Sequence, residues 1–156
     1  MPELLLVSPF SGLVRDLATL DDPVFAQRIV GDGVAVEPAS DATRIVVAAP
    51  CAGVVAKLFP GGHGIALETD AGPVLVHVGI DTVELRGEGF TPRTGDGATV
   101  AAGDPLVEVD LAAVRSRGFA TVTPVLAIGG QRVDTVAPVG GTVAAGEPLF
   151  RVVPPS

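Results

Sequence analysis

Tryptophan and tyrosine are absent from the sequence, and phenylalanine occurs only six times. Proteins that bind single-stranded nucleic acid usually stack the bases on aromatic side chains. Basic residues are also scarce, because ten lysines and arginines face eighteen aspartates and glutamates and leave a net charge of −8. A surface with this charge repels phosphate backbones and anionic lipids and attracts basic proteins. We therefore expect no nucleic-acid partner and a protein partner with a basic surface.

Cysteine and long hydrophobic runs are scarce as well. Cys51 is the only cysteine, so an intramolecular disulfide is excluded, and we interpret this residue as part of the core. No apolar run approaches the roughly 20 residues that span a bilayer, and the acidic opening MPELLLVSPF does not fit a secretory signal. We expect a cytoplasmic monomer without direct membrane insertion, with a single domain over residues 1–156 and its core over about residues 8–153.

Glycine and proline are abundant, and they separate short runs rich in Val, Ile, Leu and Thr. Such runs between turn residues are typical of β-strands. The predicted strands are Ile45–Ala48, Gly53–Phe59, Ile65–Thr69, Pro73–Val78, Leu106–Val109, Thr121–Ile128 and Leu149–Val153. Helix signals are limited to Leu111–Arg117, between a capping Asp110 and Gly118, and to one or two turns after Asp22 and Pro23.

One segment of the chain is duplicated. GATVAAGDPLVEV (Gly97–Val109) and GGTVAAGEPLFRV (Gly140–Val152) are identical at nine of thirteen positions. The copies contain no residues that suggest catalysis, and their spacing does not fit a solenoid. We predict an all-β fold, an antiparallel β-sandwich or flattened barrel built from duplicated strand–turn–strand units, with one or two short helices.

Side chains that can act as a nucleophile or base near neutral pH are few, and both histidines lie near one predicted β-hairpin. His63 and His77 are separated by two predicted strands and the turn residues Asp70–Gly72. An odd loop would place the histidines on one face, with Cβ atoms about 5–8 Å apart, whereas an even loop would place them on opposite faces. If they meet, one neutral imidazole can attack phosphorus while the other stabilises the developing charge. The alternative is that each is an ordinary, partly buried strand residue.

Other functional classes lack necessary residues. The chain has no G-x-x-x-x-G-K-[ST] loop and no G-x-S-x-G elbow, and we interpret the GDG and GEG segments at Gly31–Gly33 and Gly87–Gly89 as turns. Lys57 lies inside a predicted strand, whereas a biotinyl or lipoyl carrier presents its lysine at a hairpin tip. A zinc peptidase of the LytM type requires more histidines than these two.

Several segments resemble the IIA component of the glucose family of the bacterial sugar phosphotransferase system. The likeness extends over about residues 8–153, and VHVGIDTVELRGEGF (Val76–Phe90) is its most specific part. The other matching segments are VFAQRIVGDGVAVEP (Val24–Pro38), APCAGVVAKLF (Ala49–Phe59), HGIALETDAG (His63–Gly72), GDPLVEVDL (Gly103–Leu111) and TPV (Thr123–Val125). The resemblance implies a β-sandwich phosphotransferase component. It would accept phosphate from the carrier HPr and donate it to the IIB domain of a membrane permease for glucose or N-acetylglucosamine.

The resemblance also implies the residues of the site. His77 corresponds to the phosphorylated histidine and His63 to the histidine that supports the phosphate, and no cofactor is required. The implied partner-binding residues form an apolar ring with an acidic rim: Asp22, Val24, Phe25, Val30, Phe59, Leu75, Asp81 and Val83. Some family members bind zinc between this histidine pair and a carboxylate of a partner. Members also act as regulators, so the alternative function is a regulatory docking protein without phosphotransfer.

Three features depart from the family pattern. Gly61 stands where the family usually has a threonine whose hydroxyl hydrogen-bonds near the site. Leu75 stands where a phenylalanine is frequent, and the turn between the histidines is one residue shorter. These differences concern the orientation of an imidazole and the register of the hairpin, and they leave both histidines in place.

Overall fold

A computed structural model describes residues 3–154, which fold mostly into short strands. The strands are β1 (Leu4–Val7), β2 (Gly12–Arg15), β3 (Asp32–Pro38), β4 (Arg44–Ala48), β5 (Gly53–Leu58), β6 (Gly64–Thr69), β7 (Gly72–His77), β8 (Phe90–Pro92), β9 (Thr99–Val100), β10 (Pro105–Asp110), β11 (Thr123–Ala127), β12 (Arg132–Thr135), β13 (Thr142–Val143) and β14 (Pro148–Val153). The α-helices are α1 (Pro23–Ala26) and α2 (Leu111–Ser116), and short 3-10 helices cover Leu17–Thr19 and Thr82–Leu85. No helix of this described part is long and apolar enough to cross a membrane.

The strands pair in an antiparallel manner and form three sheets. The large sheet has eight strands in the order β13-β2-β3-β11-β7-β6-β5-β9, and the small sheets have the orders β1-β14-β12 and β4-β10-β8. The main core lies between the large sheet and the small ones. It takes Leu6 and Phe150 from one small sheet, Val107 from the other, and Val76 and Val125 from the large sheet. This arrangement is the predicted β-sandwich.

A second apolar cluster covers the other face of the large sheet. Along β7, Val76 faces the main core and Leu75 joins the second cluster, and Val125 and Leu126 do the same along β11. Side chains alternate along a strand, so these central strands are buried on both faces. The connection between β2 and β3 contributes Leu17, Leu20 and Phe25 to the cluster.

The predicted strands and the predicted helix are confirmed, with ends that differ by one or two residues. At α2, a carboxylate oxygen of Asp110 accepts a hydrogen bond of 3.0 Å from the N–H of Ala113, as a helix cap does. Gly118 follows the helix with a φ of 88°, a conformation that glycine adopts without strain. The segment after Asp22 forms the single turn of α1.

The duplicated segments form two equivalent units of the sandwich. In each copy a two-residue strand, a turn with a positive-φ glycine and a six-residue strand follow one another, as β9–β10 and as β13–β14. Each copy supplies one edge strand of the large sheet and the central strand of one small sheet. The duplication therefore produces the two ends of the sandwich and contributes neither of the two histidines.

The interpretation of Gly31–Gly33 as a turn is wrong. Gly33 lies inside β3, where a Cβ atom would be 2.0 Å from the carbonyl oxygen of Val125 on the neighbouring strand. Glycine is needed at this position because the two main chains approach closely. The interpretation of Gly87–Gly89 as a turn is confirmed, since both glycines have φ near 90°.

The equivalence of the two units can be tested with glycine substitutions. Gly103 and Gly146 have φ of 91° and 83°, and nothing lies within 4 Å of a Cβ atom at either position. Gly103→Ala and Gly146→Ala should each lower the free energy of unfolding by about 1–2 kcal/mol, because alanine is strained at positive φ. Urea denaturation measures the change. Gly95→Ala, which has open space and no positive φ, is the control, and equal effects at all three positions would contradict the explanation.

Candidate active site

The hairpin of β6 and β7 brings the two histidines together although its loop is even. The loop consists of Asp70 and Ala71, and His77 pairs with Gly64. Strict alternation would then place His63 on the opposite face from His77, as expected for an even loop. His63 instead precedes the first residue of β6 and follows two glycines with positive φ, so the alternation does not reach it. The two ring centroids lie 5.3 Å apart at an interplanar angle of 77°.

Two phenylalanine rings flank the histidine pair. The rings of Phe25 and His77 have centroids 5.0 Å apart, and the ring of Phe59 meets His63 edge-on at 5.5 Å. Gly64 makes room for this packing, because a Cβ atom there would lie 2.5 Å from the Phe59 ring. The imidazoles therefore sit between aromatic side chains that exclude water from one side of each ring.

The main chain determines which nitrogen of His77 is free to react. Nδ1 of His77 lies 2.8 Å from the carbonyl oxygen of Gly79, and a carbonyl can only accept, so Nδ1 carries the proton in the neutral ring. The lone pair is then on Nε2. Gly79 has a φ of 78°, and a Cβ atom there would lie 2.5 Å from the methyl group of Thr82. The hydroxyl of Thr82 donates to the carbonyl of Val78 and holds the same turn.

Burial is the largest cause that lowers the pKa of His77. The hydrogen bond to the Gly79 carbonyl opposes it, and the neighbouring charge of a protonated His63 lowers the pKa further. The negative charges of Asp22 and Asp81 act in the raising direction and are the smallest causes. The net effect is a pKa below the ordinary value, so His77 is neutral at neutral pH and its Nε2 can act as a nucleophile.

His63 is a buried residue, with 5% of its surface exposed. Burial lowers the pKa of His63, and the main-chain carbonyl of Pro60 acts in the opposite direction. Gly61, in place of the usual threonine, has a φ of 91°, and a Cβ atom there would lie 2.7 Å from the main-chain nitrogen of Gly87. The two loops are in close contact here. The groups that act on His63 are the Pro60 carbonyl and the Phe59 ring.

Exposure divides the predicted partner-binding residues into layers. Val24 and Val83 are 42% and 57% exposed, whereas Phe25 and Leu75 are buried in the second apolar cluster. The half-buried residues between these layers are Val30 and Phe59. The predicted ring therefore consists of exposed residues above a buried floor, and Phe25 of this floor packs against His77.

The sequence analysis missed Ile29, the most exposed large hydrophobic residue of the described chain at 68%. It follows α1, and its N–H donates to the carbonyl of Val24, which places it in the same surface region. The sequence gives little indication that Ile29 belongs to an apolar surface, because the polar residues Gln27 and Arg28 directly precede it. We call Val24, Ile29 and Val83 the apolar rim.

The remaining reactive side chains lie outside this region or are inert. Cys51 is buried in the main core, as predicted, and burial raises the pKa of its thiol to about 12. Lys57 lies within β5 and not at a hairpin tip. Among residues 3–154, no three His, Cys, Asp or Glu side chains are grouped as a metal site.

A β-sandwich that presents two contacting, neutral imidazoles under an apolar rim defines a small histidine phosphocarrier. The chain belongs to the EIIA 1 family of the phosphoenolpyruvate-dependent sugar phosphotransferase system, whose family model matches residues 4–133.

Individual relatives support this assignment. The glucose-specific EIIA component of Haemophilus influenzae is 39% identical over 146 residues, which are 93% of this chain and 86% of that protein. The glucose-specific EIIA component of Bacillus cereus is 36% identical over 140 residues, or 89% and 82%. The N-acetylglucosamine-specific EIICBA component of Escherichia coli is 43% identical over 122 residues, which are 78% of this chain and 18% of that longer protein. The solved structure of glucose permease IIA from Mycoplasma capricolum matches with a TM-score of 0.86 and 31% identity, over 97% of this chain and 96% of that one.

The lowered pKa values predict a pH-dependent stability. The ordinary value of both groups is 6.5. Because both folded-state values are lower, the unfolded chain binds more protons, and the free energy of unfolding should fall as the pH drops from about 7.5 to about 5.5. Urea denaturation at constant ionic strength measures this slope. The double variant His63→Gln, His77→Gln lacks both histidines of the chain, so an unchanged slope in that variant would assign the effect to other groups.

Proposed function

We propose that Nε2 of His77 accepts a phosphoryl group from a phosphohistidine of HPr and that the protein then passes it to the IIB domain of a sugar permease. The observation that carries this proposal is the hydrogen bond from Nδ1 of His77 to the carbonyl of Gly79, which leaves the lone pair on Nε2. The names of the relatives support a permease for glucose or N-acetylglucosamine as the acceptor. The cytoplasm is the compartment in which these partners would meet.

The transfer is a balanced exchange of one phosphorus–nitrogen bond for another. The lone pair on Nε2 of His77 forms a bond to phosphorus, and the bond to the donor imidazole breaks with its electron pair returning to the donor nitrogen. No electrons are lost, and no nucleotide, metal or cofactor takes part. The Gly79 carbonyl accepts a hydrogen bond from the Nδ1–H group throughout and stabilises the positive charge that develops on the attacking ring.

His63 stabilises the transferred group and does not act as the nucleophile. Its ring lies against that of His77, within reach of a phosphoryl group on Nε2. In the free protein burial keeps His63 neutral. A phosphoryl group brings negative charge next to this ring, which favours its protonated form and a charge-assisted hydrogen bond to a phosphoryl oxygen.

The apolar rim and two carboxylates form the partner-binding face. Val24, Ile29 and Val83 expose hydrophobic surface around the histidines, and exposed surface of this kind needs a partner. Asp22 and Asp81 lie close enough to His77 to act on its pKa, and Asp81 is exposed. Their charge and the net charge of −8 favour a partner with a basic surface around its own reactive histidine.

Two further properties follow from the same site. The two imidazoles are suitable zinc ligands, and since catalytic and structural zinc sites use at least three protein ligands, a partner would have to supply the rest. No step of the transfer uses such an ion. Regulatory docking on other proteins would use the same apolar rim, and it would persist in a protein that cannot be phosphorylated.

Phosphorylation in a reconstituted relay tests the proposed function. We expect phosphoenolpyruvate, enzyme I and HPr to place one acid-labile phosphate on His77, located by mass spectrometry. His77→Ala should abolish it, because the substitution removes the Nε2 lone pair that forms the bond to phosphorus. His63→Ala should still accept phosphate but transfer it to the IIB domain more slowly. Absence of phosphate on the wild-type protein, with HPr itself phosphorylated, would leave only the regulatory function.

Charged substitutions on exposed valines test the partner-binding face. Val83→Glu should raise the KM for phosphorylated HPr by roughly tenfold or more, since it buries a charge in an apolar interface. Val139→Glu is the matched control, because Val139 is 52% exposed and lies in the loop before β13, an edge strand that β2, β3 and β11 separate from β7. Steady-state transfer rates at several HPr concentrations measure both. Equal effects of the two substitutions would place the docking surface elsewhere.

A further inference from the structure

Most of the apolar rim lies in one long connecting segment between two strands of the large sheet, which we call the excursion. β2 ends at Arg15 and β3 begins at Asp32, and these neighbouring strands are paired, so residues 16–31 leave the sheet and return to it. Two members of the rim, Val24 and Ile29, lie in this excursion, and so does Phe25, whose ring packs on His77. The position of the excursion therefore determines both the partner-binding face and the packing of the phosphoryl acceptor.

Arg28 occupies a position in the excursion where glycine is the usual residue. The N–H of Ile29 donates to the carbonyl of Val24, and the N–H of Arg28 donates to the carbonyl of Phe25. This is the Schellman pattern that ends a helix, and its left-handed residue is Arg28, with a φ of 56°. A residue with a side chain is strained in this conformation, whereas glycine is not.

The side chain of Arg28 connects the two ends of the excursion. Its Nε donates to a carboxylate oxygen of Asp32 at 2.9 Å, and its Nη2 donates to a carboxylate oxygen of Asp16 at 3.2 Å. Asp16 is the residue after β2, and Asp32 is the first residue of β3. The same carboxylate oxygens accept the main-chain N–H groups of Ala18 and Gly33, so both acceptors are themselves held in place.

We propose that Arg28 is a positioning residue for phosphoryl transfer: its guanidinium bridges Asp16 and Asp32 where the excursion leaves and rejoins the sheet. The bridge thereby holds Phe25 against His77 and keeps the rim residues Val24 and Ile29 in place. This inference rests on the proposed phosphocarrier function. Arg28 does not touch the histidines. Its planar group, with donors on different nitrogens, reaches two carboxylates at once, which a lysine does not reproduce.

The geometry separates this role from a general contribution to stability. Leu17, Leu20 and Phe25 anchor the excursion in the second apolar cluster, so the fold does not depend on the ion pairs. Both pairs are also exposed, with about two fifths of each side chain accessible, and exposed pairs contribute little to stability. The strained φ of Arg28 acts against stability. Replacement by glycine removes the strain and the bridge together.

The test compares Arg28→Gly with Arg28→Ala. Arg28→Gly should be the more stable of the two in urea denaturation, because glycine relieves the strained conformation. Both should nevertheless lose phosphoryl transfer from HPr to the same extent, with kcat/KM lowered roughly tenfold and mostly through KM. Wild-type transfer by Arg28→Gly would overturn the proposal, as would losses of transfer that follow the stability of the two variants.

A second pair of variants separates the bridge from the charge. Arg28→Lys keeps the charge and should fall between the wild type and Arg28→Ala. The double variant Asp16→Asn, Asp32→Asn keeps the oxygens that accept from Arg28, Ala18 and Gly33 but removes both negative charges, and it should likewise fall between the wild type and Arg28→Ala. Arg132→Ala, which removes an equivalent exposed pair with Asp134 on a small sheet, is the control and should transfer normally.

A spectroscopic measurement keeps the inference testable even if the protein accepts no phosphate. Loosening of Phe25 should admit water to His77 and raise its pKa toward the ordinary value in an NMR titration of the folded protein. His63, Asp22 and Asp81 also act on this pKa and are unchanged in the Arg28 variants. An unaltered pKa of His77 in Arg28→Gly, together with unaltered contacts between the Phe25 and His77 rings, would overturn the positioning role independently of the relay.

Discussion

Burial of the central strands on both faces is the constraint from which the rest of this structure follows. β7 and β11 place valines in the main core and leucines in a second cluster on the opposite face of the large sheet. Because His77 is the last residue of β7 and lies on the same side as Leu75, its ring begins at the surface of that second cluster. The imidazole of His77 is consequently attached to a strand that is buried on both faces, and it is partly removed from water.

The reactivity of the pair then depends on main-chain groups more than on other side chains. The carbonyl of Gly79 determines which nitrogen of His77 is free, and the carbonyl of Pro60 acts on His63. These carbonyls are brought to the rings by turns that only glycine permits, at Gly79 and Gly61. Carbonyl oxygens only accept hydrogen bonds. They can therefore orient the rings, and they do not form hydrogen bonds with the oxygens of a phosphoryl group, which are also acceptors.

A carrier of this kind must combine an exposed apolar surface with a firm support. The apolar rim is exposed, whereas Phe25 and Leu75 below it are buried. The excursion that carries most of the rim ends its helix with a strained arginine, although glycine would be the more stable residue there. Local stability is lower than it could be at this point, in keeping with the general observation that strain accumulates at functional sites.

Much of the fold and of the site could be predicted from local patterns, and the remainder depended on contacts between distant residues. The strand runs, the Asp110 cap and the repeated turn are local in origin, because side-chain periodicity and glycine conformation act over a few residues. The meeting of His63 and His77 could not be derived this way, since the loop is even and the exception arises where His63 leaves the strand. The exposure of Ile29 and the burial of Leu75 were likewise decided by packing.

The sequence by itself determined an acidic all-β protein with a histidine pair in one specific motif. Only the tertiary structure decided which nitrogen of His77 keeps its lone pair, which apolar residues are exposed near the histidines and how Arg28 bridges Asp16 and Asp32, because these depend on contacts that form only after folding.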